Sequence, residues 1–212
     1  MDEDGREREP VPAAFPAAEP PPDAYGRVSN PERYRILHRW GRELLDRLSA
    51  KYAVDRADVT GQEPSPFASD AAALAVRLTP GDPRAGPLTV VFTGFPGLAV
   101  RCGRWHKLAL PSCGCDACDE NPQELREQLE DHVGALVSGN LFERLSRKRG
   151  AWWVEYDIPG VASGSNEVGW VENAGGGGFW FSSSCGRGAG DPFQQGSPGE
   201  VQWSAWPRRG DR

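Results

Sequence analysis

LAVRCGRWHKLALPSCGCDACDENPQELREQLEDHVGAL, residues 98–136, contains a change of period. Leu98, Val100 and Cys102 alternate, which is the period of a strand with one buried face. From Leu125 the spacing becomes helical: Leu125, Leu129, Val133, Leu136 and Val137 fall on one stripe. The helix start is written just before it. Asn121 is a polar cap, Pro122 occupies the first helical position and Glu124 the third, close to a capping box. Gly139-Asn140 supplies its end. Between strand and helix lies PSCGCDACDEN, residues 111–121, with three of the chain's five cysteines.

Outward from this block, the same two periods recur. Upstream, Ser29-Asn30-Pro31-Glu32 marks another helix start. Tyr34, Leu37, Gly41, Leu44, Leu45, Leu48 and Tyr52 then lie along one face, opposite Arg35, Arg39, Arg42, Glu43 and Arg47. His38 reads as a flank residue of this helix, and His132 as a packing residue of the second. Leu74, Val76 and Leu78 alternate, Leu88 to Phe92 is a continuous apolar run, and Gly/Pro turns separate them from Leu98–Cys102. This is the pattern of an antiparallel meander. Downstream, Leu141 to Leu145 reads as a short turn, and Arg144 to Arg149 as a solvated helix end. Trp152 to Asp157, Val168 to Val171, Phe179 to Phe181 and Val201 to Trp206 are strand candidates.

Strands joined without intervening helices disfavour parallel winding. The expected fold is α+β: a mostly antiparallel sheet of about five to seven strands, with two main helices packed on one face. Residues 1–24 are charged, then Pro-rich, and read as a disordered or extended arm; residues 25–207 form a single domain, and 208–212 a tail.

Composition narrows function by exclusion. The chain of 212 residues has 30 acids against 24 bases, so phosphate repels it and nucleic-acid binding is not expected. Met1-Asp2-Glu3-Asp4 lacks a basic leader, and no apolar run reaches the ~18 residues of a membrane span. The expectation is a cytoplasmic protein with no membrane partner, where cysteines stay reduced and favour metal or thiol chemistry.

The cysteine spacing is Cys113-x-Cys115-x-x-Cys118. A C-x-x-C turn lets two thiolates converge on one ion, and Gly114 helps the third turn inward. Sulfur-rich tetrahedral sites suit zinc. The fourth ligand is nominated as His106, with Cys102 and Cys185 as alternatives. If residues 102–106 form one strand, Cys102 and His106 share a face but lie about 13 Å apart, so both cannot easily reach one ion. A closed site would be structural. Cys115 and Cys118 could instead cycle as a redox pair near a helix start, and an open three-ligand site could hold water for hydrolysis. Sulfur-rich zinc is a weak Lewis acid, however, and Asp119 and Glu120 equally complement the helix dipole. No four-cysteine iron–sulfur spacing appears, and the cysteines could also be ordinary loop residues.

Eight tryptophans fit core strands or an aromatic platform, with core favoured by strand propensity. GGGGFWFSSSCGRG, residues 175–188, lacks the phosphate-loop arrangement and reads as a hairpin loop. FPGL at 95–98, GRWH at 103–106 and CGCDACDE at 113–120 together resemble an uncharacterised actinobacterial family, and AFPAAEPPPDAYGRVSNPERYR at 14–35 is similar to its start. That resemblance implies a single domain and brings no activity. The combined expectation is a non-catalytic binding or interaction module with a structural zinc site, its partner a protein; the alternatives are a thiol redox protein and a zinc-dependent hydrolase.

Overall fold

The computed structural model describes residues 20–61, 74–149, 151–168 and 199–210. They form two α-helices and nine strands in two antiparallel sheets. The α+β class holds, with the strands divided between two sheets instead of one. The first sheet contains β1 (Val54–Asp58), β2 (Leu74–Pro80), β3 (Leu88–Thr93), β4 (Gly97–Cys102) and β5 (His106–Leu110), in that order. The second contains β6 (Phe142–Lys148), β7 (Ala151–Ile158), β8 (Ala162–Val168) and β9 (Gly199–Gln202), in the order β8-β7-β6-β9.

Register explains the core. Val76, Val90, Val100 and Leu108 pair in one cross-strand row, and Phe92, Leu98 and Leu110 in another. Alternation puts these rows on one face. Helix α1 (Arg35–Lys51), entered through a 3-10 turn at Pro31–Tyr34, adds Leu37, Leu44, Leu45 and Leu48 to this core. Helix α2 (Pro122–Ser138) adds Leu125, Leu129, Val133 and Leu136. Its start is as expected: Asn121 Oδ1 accepts the Gln123 N–H at 2.9 Å. Gly139 ends it at φ +78. No helix among the described residues is long and apolar enough to cross a membrane.

Three local readings are corrected. Residues 102–106 are a hairpin, not one strand. Gly103 turns the chain at φ +73, and Cys102 pairs directly with His106 across β4 and β5. The 13 Å separation therefore does not arise, and both side chains point into the core. Second, Leu141–Leu145 is not a turn, nor Arg144–Arg149 a helix end; β6 runs through them. Glu143 and Leu145 alternate inward, while Arg144 and Lys148 face outward to Glu155 on β7. The basic run is thus a cross-strand charge ladder. Third, the last strand stops at Gln202, and Trp203 and Trp206 leave it to become buried core residues. Phe179 to Phe181, the Gly-rich run and Cys185 lie outside the described residues, as does most of Val168 to Val171.

Two polar groups sit where these layers meet. Glu143 is 0 % exposed and accepts from the backbone N–H groups of Arg104, Trp105 and His106 and from the Trp203 indole. His106 of β5 lies 2.8 Å, Nε2 to Nδ1, from His132 of α2, and its ring stands 4.0 Å from that of Tyr156 on β7.

Candidate metal centre

The cysteine loop joins β5 to α2, and its shape is imposed by carboxylates. Glu120, just before the helix cap, reaches back over the loop. One oxygen accepts the Ser112 N–H and hydroxyl, each at 2.8 Å; the other accepts the N–H groups of Cys113 and Gly114, each at 3.0 Å. Burial disfavours this carboxylate's charge, but the amides of Gly114, Ser112 and Cys113 outweigh it and hold the pKa below the usual range. Gly114 follows at φ +79, and a Cβ there would stand 2.7 Å from the Phe95 ring. Only glycine fits both restraints.

The N-terminal segment grips the other side. Asp116 N–H donates to Arg27 O at 2.8 Å and Ala117 N–H to Ala24 O at 3.2 Å. The Asp116 side chain accepts from the Ser29 hydroxyl, the Arg27 Nε and the Ser29 N–H at 2.6, 2.8 and 2.8 Å. These donors, the Ser29 hydroxyl first, pull its pKa down to about 2. Arg33 holds Asp119 at 2.5 Å and the Tyr34 hydroxyl at 2.6 Å.

Within this frame the ligating sulfurs of Cys113, Cys115 and Cys118 all lie within 4.8 Å of one another. Tetrahedral bonds of about 2.3 Å would put sulfurs about 3.8 Å apart, so a small closure suffices to seat one ion. Cys115 is buried at the floor; Cys113 and Cys118 are exposed. The Cys115 sulfur is hydrogen-bonded by the Cys113 thiol and by the backbone N–H groups of Cys118 and Gly26, which bring its pKa down to about 6. Hydrogen bonds with Cys115 and Cys113, then burial, push Cys118 up to about 12. A cation seated among the sulfurs would draw protons from the thiols.

The nominated fourth ligands lie elsewhere or outside the described residues. His106 is 2 % exposed and engaged with His132 and Tyr156. Cys102 is 0 % exposed, and burial with the nearby Glu143 charge pushes its thiol well above the usual range. Among the described residues, the three cysteines form the only group of three or more metal-ligating side chains with mutually close donor atoms. Sequence reasoning missed the clamps: Glu120 and Asp119 read as helix-dipole acids, while Arg27, Ser29 and Arg33 carried no signal. Their partners lie 86 to 89 residues away.

The fold and this loop define an antiparallel α+β protein carrying a three-thiol group at a strand-to-helix junction. The chain belongs to a family of unknown function, DUF6226, whose model matches residues 2–210. No curated protein and no solved structure matches it.

Proposed function

We propose that this protein is a non-catalytic binding or interaction module whose β5–α2 junction is held by zinc on Cys113, Cys115 and Cys118. The carrying observation is the convergence of three sulfurs in a loop already shaped by Glu120, Asp116 and Asp119. Zinc there would supply cross-linking, tying the sheet edge, the helix start and residues 24–29 together. Hydrolysis is less well supported, because those three carboxylates are engaged in clamps and three thiolates weaken the metal as a Lewis acid. Reduced thiols are consistent with a cytoplasmic setting. The net charge of −6 argues for a protein partner over nucleic acid.

Protein purified under reducing conditions should carry about one zinc per chain by elemental analysis. Cys113→Ser, Cys115→Ser and Cys118→Ser should each abolish that stoichiometry, and chelation should lower the melting temperature. Metal-free wild-type protein that forms a reversible Cys115–Cys118 disulfide would replace this reading with thiol redox chemistry. The closeness of the Cys115 and Cys118 sulfurs favours that competitor over the hydrolase.

Glu120→Gln tests the clamp. The amide has one acceptor oxygen where the carboxylate has two, so the N–H groups on one side of the nest lose their partner. Zinc affinity, read by competition with a chromophoric chelator, should fall roughly 10- to 100-fold. An unchanged affinity would show that Glu120 does not position the ligands.

A further inference from the structure

We propose that the three-cysteine group takes its fourth ligand from outside the chain: a thiolate seated at the solvent-facing rim beside Cys113 and Cys118. This rests on the zinc reading above and specifies what completes the site. Tetrahedral zinc needs four donors. The carboxylates beside the loop are held by the partners that shape it: Asp116 by Arg27 and Ser29, Asp119 by Arg33, Glu120 by the Ser112–Gly114 amides. Swinging one onto the metal would undo the loop that presents the sulfurs. Cys102 and His106, paired at the end of the β4–β5 hairpin, are buried, at 0 % and 2 % exposed.

Cys113 and Cys118, by contrast, are open to solvent, with Cys115 beneath them. The segment that pairs with the loop, through Asp116 N–H to Arg27 O and Ala117 N–H to Ala24 O, carries exposed apolar side chains: Tyr25 and, one residue past Arg27, Val28 are 59 % and 40 % exposed. They are two of the four large hydrophobic residues exposed among the described residues. A soft donor on an apolar carrier matches this surroundings better than water does. In the exchange, a thiol replaces metal-bound water; the zinc–sulfur bond forms, the zinc–water bond breaks, and the thiol proton passes to solvent.

Cobalt(II) loaded in place of zinc on the full chain makes the coordination visible in absorption. Added 2-mercaptoethanol should intensify and shift the ligand-field bands saturably, with one thiol per cobalt, and dilution should reverse the change. A single-cysteine peptide with apolar flanks separates the two sources of such a thiolate. A preference of roughly tenfold for the peptide, lost in Tyr25→Ser, assigns a protein partner; equal affinities assign a free thiol. Bands unmoved by either thiol overturn the inference. So does a four-sulfur spectrum present before thiol is added and lost in Cys185→Ser, since the fourth ligand would then be internal. Failure to bind cobalt at all overturns the zinc reading, and this inference with it.

Discussion

Glu143→Ala should lower the free energy of unfolding by about 3–5 kcal/mol, the largest single-residue effect expected outside the apolar core. Glu143 Oε1 accepts from Trp105 N at 2.7 Å and His106 N at 2.5 Å; Oε2 accepts from Arg104 N at 3.0 Å and Trp203 Nε1 at 2.6 Å. Four donors converging on two oxygens require a group that only accepts, which is a carboxylate. Alanine would remove the partner of all four N–H groups, two of which, the His106 amide and the Trp203 indole, are buried, at a cost of about 1–3 kcal/mol for each buried one before relaxation. Glu143→Gln separates shape from chemistry. It fills the same volume but turns one acceptor into an NH₂ that faces two donors. A loss of about 2–3 kcal/mol is expected, smaller than for alanine. Urea unfolding measures both, with an unchanged m-value showing that the transition itself is intact. A Gln variant as stable as the wild type would mean that hydrogen-bond polarity at this junction contributes nothing.

That carboxylate also shows where the sequence could be read and where it could not. The helices were legible because Asn-Pro caps and 3.6-residue periodicity are local signals, and the meander because its strands alternate between marked turns. The hairpin at 103–105 was not. Cys102, Arg104 and His106 continue the alternation, so a turn that reverses the chain within three residues leaves the pattern undisturbed. What makes the turn is distant. Glu143 supplies the acceptor for its amides, and a Cβ on Gly103 would collide with that carboxylate and with the Trp203 indole. Strand β6 was hidden for a related reason, since the outward cations Arg144 and Lys148, with Arg147 at the exposed end of the inward row, mask an inward alternation of only Glu143 and Leu145. At the site, the three cysteines were legible from spacing alone. His106 was nominated beside them because it precedes the loop in sequence, and the hairpin turns it instead toward α2 and the second sheet.

The consequence of that placement is a dependence of stability on pH. His106 is driven well below its ordinary value, to about 3, first by burial and then by its neighbour His132. His132 is also lowered by burial, with Asp131 opposing. The groups around the pair are Cys102 across the hairpin, Tyr156 on β7, and Glu143 on β6, whose carboxylate holds the His106 N–H. His106 Nδ1 has no hydrogen-bond partner, so a proton there would be buried without compensation. The folded pKa lies below the unfolded value of about 6.5. The unfolded chain therefore binds the proton first as pH falls. Stability from this group is complete above about pH 6.5 and drains away as pH drops from there toward 3, at up to about 1.4 kcal/mol per pH unit. Between pH 7 and pH 5 the loss assigned to His106 is about 2 kcal/mol. Asp116 and Glu120, with lowered pKa values, lose their contributions only at lower pH, below their unfolded values of about 4. His38, lowered chiefly by burial, contributes a further loss in the same direction and window. His106→Phe removes the titrating group while keeping an aromatic ring against Tyr156. Whatever its stability at pH 7, its loss between pH 7 and pH 5 should be smaller than the wild type's by about 2 kcal/mol, leaving His132 and His38 to account for the remainder. Chemical denaturation at the two pH values measures the difference directly. A variant that loses as much stability as the wild type over this interval would place the acid sensitivity elsewhere and show that His106 is protonated in the folded protein as readily as in the unfolded chain.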